Sequence, residues 1–147
     1  MGPEHMLASA KALPVAHVWF GDYLALYLEL GILGPGRPRK HGLTVGNPVG
    51  QLTLYAGYDW RIGGPRSIVA GVKSARSRAE AAAKSLVGCH IKSVEVLPKL
   101  LELRVEFEGG RSLTTLSLSE GQPQWTLGTQ KAHAHACIKK WRLASAP

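Results

Sequence analysis

Leu101-Glu102-Leu103-Arg104-Val105-Glu106-Phe107-Glu108-Gly109-Gly110 decides the fold of this chain. Leu101, Leu103, Val105 and Phe107 alternate with Glu102, Arg104, Glu106 and Glu108. A period of two puts four apolar side chains on one face of a sheet and four charges on the other. Gly109-Gly110 supplies the positive φ of a tight hairpin turn, so residues 111–118 return as the next strand. Upstream, residues 89–97 open the same meander. Ile91, Val94 and Val96 depart from strict alternation, as a bulge leaves them, and Pro98 marks the turn. The charged face has the residue types of a solvated or partner-facing surface, not of a catalytic cleft.

Moving toward the N-terminus, residues 74–87 read as a helix that packs on this sheet. Ala79, Ala81, Ala82 and Ala83 favour it intrinsically. Ser77 and Glu80 fit a capping box, with a start there or at Ser74. Gly88 stops it, and Leu86 and Val87 are expected to face the sheet. Residues 67–72 form a short strand after the turn Gly63-Gly64-Pro65. Residues 51–62 read as one strand with a bulge or close approach at Gly57. Residues 23–30 alternate strictly, with Leu24, Leu26, Leu28 and Leu30 on one face. The other face, Tyr23, Ala25, Tyr27 and Glu29, is also mostly apolar, so the strand is expected to be central and covered on both sides. Residues 14–20 form the strand before it. Residues 124–127 close the sheet. Residues 131–143 suit a helix by their alanines and a strand by the alternation of His133, His135 and Cys137. The expected class is α+β: a mainly antiparallel sheet with one main helix on it.

Met1-Gly2-Pro3-Glu4-His5-Met6 reads as an expression-tag scar and is set aside. Residues 7–147 then make one α+β domain, long enough for a real core. No apolar run reaches the roughly 18 residues of a membrane helix. Two widely spaced thiols, Cys89 and Cys137, make a poor disulfide framework and fit a reducing compartment, the cytoplasm. The formal net charge is +8. An anionic partner is implied: nucleic acid, an acidic protein or a membrane surface.

Three constellations stand out. The loop Gly34-Pro35-Gly36-Arg37-Pro38-Arg39-Lys40-His41-Gly42 offers Arg37, Arg39 and Lys40 to an anion. It lacks a Gly-Lys-Ser/Thr end, and its prolines remove donors that a phosphate nest needs. Tyr58-Asp59-Trp60-Arg61 joins residue types that anchor interfaces. The same four positions also fit an alternating strand with Tyr58 and Trp60 in the core. His133-Ala134-His135-Ala136-Cys137 offers nitrogen and sulfur ligands on one strand face, with His17, His41 or His90 as a fourth. Catalytic sets are not supported. Gly-x-Ser-x-Gly is absent, the aspartates are Asp22 and Asp59, and Glu102, Glu106 and Glu108 read as solubilising charge.

Two blocks carry a resemblance. One is Leu30-Gly31 … Pro35-Gly36-Arg37-Pro38-Arg39 … Gly46-Asn47-Pro48-Val49-Gly50 … Leu52-Thr53-Leu54-Tyr55-Ala56-Gly57-Tyr58-Asp59-Trp60-Arg61-Ile62. The other is Leu86-Val87-Gly88 … Ile91-Lys92-Ser93-Val94-Glu95-Val96 … Leu101-Glu102-Leu103 … Phe107-Glu108-Gly109-Gly110. In this order they resemble small bacterial proteins, some of them immunity proteins of contact-dependent or polymorphic toxin systems. The resemblance covers residues 20–127 and rests on structural motifs. It implies a sheet protein without catalysis or cofactor that neutralises a toxin by direct binding. Many immunity proteins against nuclease toxins are acidic; this chain is basic, which argues against a DNA-mimicking mechanism and favours an acidic toxin face or no toxin partner at all. Expected contacts are Arg37, Arg39, Lys40, Tyr58, Asp59, Trp60 and Arg61. The alternatives are a nucleic-acid module using the basic loop and Lys139-Lys140-Trp141-Arg142, and a metal-dependent enzyme built on His133, His135 and Cys137.

Overall fold

A computed structural model describes residues 3–36, 46–57, 59–98, 100–116, 124–129, 132–137 and 140–145; for 132–137 and 140–145 it describes the backbone. The elements run α1 (Pro3–Ala10), β1 (Val15–Phe20), β2 (Leu26–Leu30), β3 (Leu52–Ala56), β4 (Trp60–Gly63), β5 (Ile68–Gly71), α2 (Arg76–Lys84), β6 (Ile91–Val96), β7 (Leu103–Phe107), β8 (Ser112–Thr115), β9 (Trp125–Gly128), β10 (Ala132–Cys137) and β11 (Lys140–Ser145). The class is α+β and mainly antiparallel sheet, as the alternation requires.

The strands divide between two sheets. One has the order β1-β2-β3-β9-β10-β11 and the other β5-β4-β8-β7-β6. The division occurs inside the stretch expected to be one strand, residues 51–62. At Gly57 the backbone N–H donates to the Gln124 carbonyl at 2.8 Å. A Cβ here would stand 3.0 Å from the Tyr55 hydroxyl and 3.2 Å from that carbonyl. Lacking one, the chain passes through, leaves the first sheet at Ala56 and enters the second at Trp60. The β7–β8 hairpin forms as its sequence dictates. Leu103, Val105 and Phe107 are buried, and Gly109 and Gly110 have φ of 98° and 91°. Leu101 falls outside the strand, in the turn before it, with φ 56°. The expected bulge in β6 lies between Ile91 and Ser93.

Both sheets turn their apolar faces into one core. Leu26, Leu28, Leu30, Leu52, Leu54, Trp125 and Leu127 come from the six-stranded sheet. Trp60, Ile62, Leu103, Val105, Phe107 and Leu113 come from the other. Each large side chain removed from water contributes about 1.5–3 kcal/mol. The two helices close the flanks. α1 packs on β6, β9 and β10, and α2 on β5 and β1. The segment set aside as a scar thus enters the core, with Met6 only 2% exposed. Backbone bonds from residues 12–15 to residues 88–91 tie the two sheets together, among them Val15 N–H to Cys89 O at 2.9 Å.

α2 starts at Arg76 without the expected capping box. The Ser74 hydroxyl instead accepts the Gly71 N–H at 2.9 Å, and Glu80 accepts from Arg76 Nε. Gly88 ends the turn with φ 90°. Leu86 is buried, whereas Val87 is 46% exposed, because the turn carries it past the sheet.

The β1–β2 connection is strained. The strand expected over residues 23–30 begins at Leu26. Tyr23 and Leu24 have φ of 55° and 58°, and the Ala25 N–H donates to Asp22 O at 3.1 Å. Two positive φ values are the requirement of a type I′ hairpin turn, normally met by Asn-Gly. Tyr23 is 85% exposed, so its ring returns little for that cost. Tyr23→Asn is expected to stabilise the protein by about 0.5–1 kcal/mol. Thermal unfolding reads this as a rise in Tm; a fall would mean that the Tyr23 ring makes contacts worth more than the strain.

Candidate binding surface

The sequence candidates separate in space. Trp60 is 1% exposed, and its indole Nε1–H donates to the Leu24 carbonyl at 2.7 Å. It is a core residue and cannot serve as a surface anchor; the alternation of β4 turns it inward together with Ile62. Asp59 is half-buried, and its carbonyl accepts the Leu116 N–H. Arg61 is exposed on β4, paired between Gly71 and Thr114. Tyr58, Arg37, Arg39, Lys40 and His41 lie outside the described residues. Around Arg61, the outer face of the five-stranded sheet mixes signs, with Arg104 bonded to Glu106 at 3.2 Å.

Residues 131–143, ambiguous in sequence, form the β10–β11 hairpin. His133 and His135 sit on β10, but His17 cannot join them on one ion. His17 shares a register row with Glu29, Thr53, Gly128 and His133. Four strand spacings, about 19 Å, separate its backbone from that of His133. His90 lies at the start of the other sheet, bridged to Pro14. Among the residues whose side chains are described, which do not include His133, His135 and Cys137, no three His, Cys, Asp or Glu gather as a metal site.

A different surface emerges on the outer face of the six-stranded sheet. Because Leu26, Leu28 and Leu30 point inward, Tyr27 and Glu29 point outward. The same alternation turns out Thr53 and Tyr55 on β3 and Thr126 on β9. Register aligns Trp19, Tyr27, Tyr55 and Thr126 across four strands, and continues through His135 and Arg142. The Trp19 and Tyr27 rings stack with centroids 3.8 Å apart and planes 7° from parallel. Tyr27 meets Tyr55 at 5.0 Å, tilted by 48°. Beside them an open depression of about 260 Å³ is lined by Tyr27, Thr53, Tyr55, Thr126, Gly128 and Thr129.

Glu29 fixes this strip. It belongs to the outer face, yet it is 2% exposed. Its Oε1 accepts the Trp19 Nε1–H at 3.1 Å, and its Oε2 accepts the Gly50 N–H at 2.9 Å and the Thr53 hydroxyl at 2.5 Å. Three donors on one carboxylate compensate its removal from water. Gly50 makes the cover possible, since a Cβ there would lie 2.5 Å from the Leu30 backbone N and O. The neighbouring Asn47 Oδ1 accepts from His17 Nε2 at 3.0 Å. The basic loop therefore leaves and returns, at Gly36 and Gly46, beside this face.

Sequence reading missed the strip because it treated that side of β2 as covered. Its signal, Trp19 and Tyr55 flanking Tyr27, appears once strand register is known. Among the described residues no helix is long and apolar enough to cross a membrane. No protein-family model matches this chain, and neither a curated protein nor a solved structure does.

Proposed function

We propose that this chain is a non-enzymatic binding protein, that its working surface is the outer face of the six-stranded sheet, and that its partner is a protein with an acidic docking face. In its finer form the reading is an immunity protein that occludes a toxin in the cytoplasm. The observation that carries it is the Trp19–Tyr27–Tyr55 strip, held in place by a buried Glu29. Trp and Tyr are the residue types that anchor protein interfaces, and rings already fixed lose little freedom on binding. Glu29 is screened by its own donors, so an acidic partner meets no opposing carboxylate there. A net charge of +8 then steers the encounter. Arg37, Arg39 and Lys40 belong to the loop rooted beside this face at Gly36 and Gly46 and remain proposed contacts.

The net charge also favours a second reading, a nucleic-acid module. Single strands bind to sheets by stacking bases on outward ring faces. Trp19 and Tyr27 give facing sides to each other, which ranks this reading second.

The test is an affinity pull-down from the native host with wild type and Tyr55→Ala, each in nuclease-treated and untreated halves. One stoichiometric protein partner should survive nuclease, and Tyr55→Ala should weaken it at least about tenfold. Co-expression with that partner should relieve growth inhibition if it is a toxin. Recovery in the untreated half alone selects nucleic acid. Full retention by Tyr55→Ala moves the interface to another face.

A further inference from the structure

We infer that the cleft between β1 and α2 binds a planar heteroaromatic group bearing a phosphate, the chemistry of a mononucleotide. β1 is an edge strand of the six-stranded sheet. Tyr27, on β2, covers the side of the Trp19 indole that faces the sheet. The opposite side of the ring therefore looks off the edge, away from every other strand of that sheet. At this end the strip can be lengthened by another ring.

The ring is also locked. Its Nε1–H is held by Glu29, and Glu29 is held in turn by Gly50 and Thr53. A fixed platform with one covered side is preorganised for stacking.

The cleft off that edge has a volume of about 260 Å³ and is lined by Val18, Trp19, Phe20, Arg76, Glu80 and Lys84. Val18 and Phe20 supply apolar walls. Arg76, Glu80 and Lys84 lie four residues apart on α2, so they form one ridge along the rim. Arg76 Nε is bonded to Glu80 Oε1 at 2.9 Å, with both side chains largely solvated. One of the five guanidinium donors is thus engaged. Two cations and one carboxylate leave the ridge with a net positive charge. A flat ring against the indole would place its phosphate toward Arg76 and Lys84. Stacking tolerates any base, since each has a π-face, so the phosphate sets the class of ligand more than the base does.

This inference is independent of the partner reading; a chain that captures no protein would still bind in this cleft. The experiment is a two-dimensional NMR titration of the full chain with AMP, with adenosine and inorganic phosphate as separate probes. The Trp19 indole N–H signal should shift saturably with AMP, with Kd on the order of 0.1–1 mM. Adenosine and inorganic phosphate should each bind at least about tenfold more weakly. Lys84→Gln, on the solvated side of α2, should weaken AMP about three- to tenfold and leave adenosine unchanged. Trp19→Leu, read through the backbone amides of residues 76–84, should abolish the AMP-induced shifts that wild type shows there. The inference is overturned by any of three results: no saturation up to roughly 10 mM AMP, equal affinity for AMP and adenosine, or an unchanged AMP affinity in Lys84→Gln. The last two decide the matter even if Trp19→Leu does not fold.

Discussion

Trp60→Ala is expected to lower the free energy of unfolding by about 3–5 kcal/mol, a large part of what a domain of this size holds. Trp60 is among the largest fully buried side chains, and it joins the inner faces of both sheets. Its removal leaves a cavity and strands the Leu24 carbonyl that its indole satisfies. Trp60→Phe separates the two effects. It keeps most of the volume and loses the bond, at a cost of about 1–3 kcal/mol. The carbonyl belongs to a residue at φ 58°, so both variants also loosen the β1–β2 turn. Urea denaturation measures the change as a lower midpoint at constant slope. A loss under about 1 kcal/mol for Trp60→Ala would show that the site collapses freely and that the two sheets are not joined through this ring.

The second large effect centres on Glu29. Glu29→Ala leaves the Trp19 indole N–H, the Gly50 N–H and the Thr53 hydroxyl without their shared acceptor. Each buried orphan costs about 1–3 kcal/mol, and water entering the gap recovers part of it, so a loss of about 2–4 kcal/mol is expected. Glu29→Gln should fall between, because its amide N–H₂ meets a donor where a second oxygen stood. Near-UV circular dichroism adds a readout specific to the site. With the indole released, the Trp19–Tyr27 stack should lose its signal while the far-UV spectrum persists. Partner capture and the AMP response should both weaken in Glu29→Ala. Wild-type stability in both variants would falsify the role of Glu29 as the fixing point of the strip.

How much of this was legible in the sequence depends on how far the deciding contact lies along the chain. The β7–β8 hairpin was legible because its alternation and its Gly109-Gly110 turn are local. The leucines of β2 declared the buried face for the same reason. Residues 51–62 were not separable, since an unbroken apolar period does not record a change of sheet. The reason for the break is the Gln124 carbonyl against Gly57, a contact between distant segments. Trp60 illustrates the same limit. Read as part of Tyr58-Asp59-Trp60-Arg61 it belongs to an interface, and read as part of Trp60-Arg61-Ile62 it belongs to a core. Burial decides for the core. The Trp19–Tyr27–Tyr55 strip is invisible without register, because three strands must pair before three aromatics meet. Glu29 gave no sign of its anchoring role, because two of its donors, Gly50 and Thr53, come more than 20 residues later. α1 was missed for a different reason: residues 1–6 were set aside on their composition, and Met6 packs regardless.

The chain order of the two sheets has a consequence for how the molecule is made. The five-stranded sheet is built from one uninterrupted stretch, β4 to β8, whereas the six-stranded sheet needs β3 from before that stretch and β9 from after it. During synthesis β3 finds β2 almost at once. Its other edge, Leu52-Thr53-Leu54-Tyr55-Ala56, awaits Trp125 and its neighbours. At about 5–20 residues per second, the roughly 70 intervening residues take on the order of 4–14 s to emerge. For that interval an apolar edge with unpaired amides stands open on the ribosome, a template for wrong strands as well as the right one. The newborn chain is thus most exposed to aggregation at the strand that later carries Tyr55, the inner end of the aromatic strip.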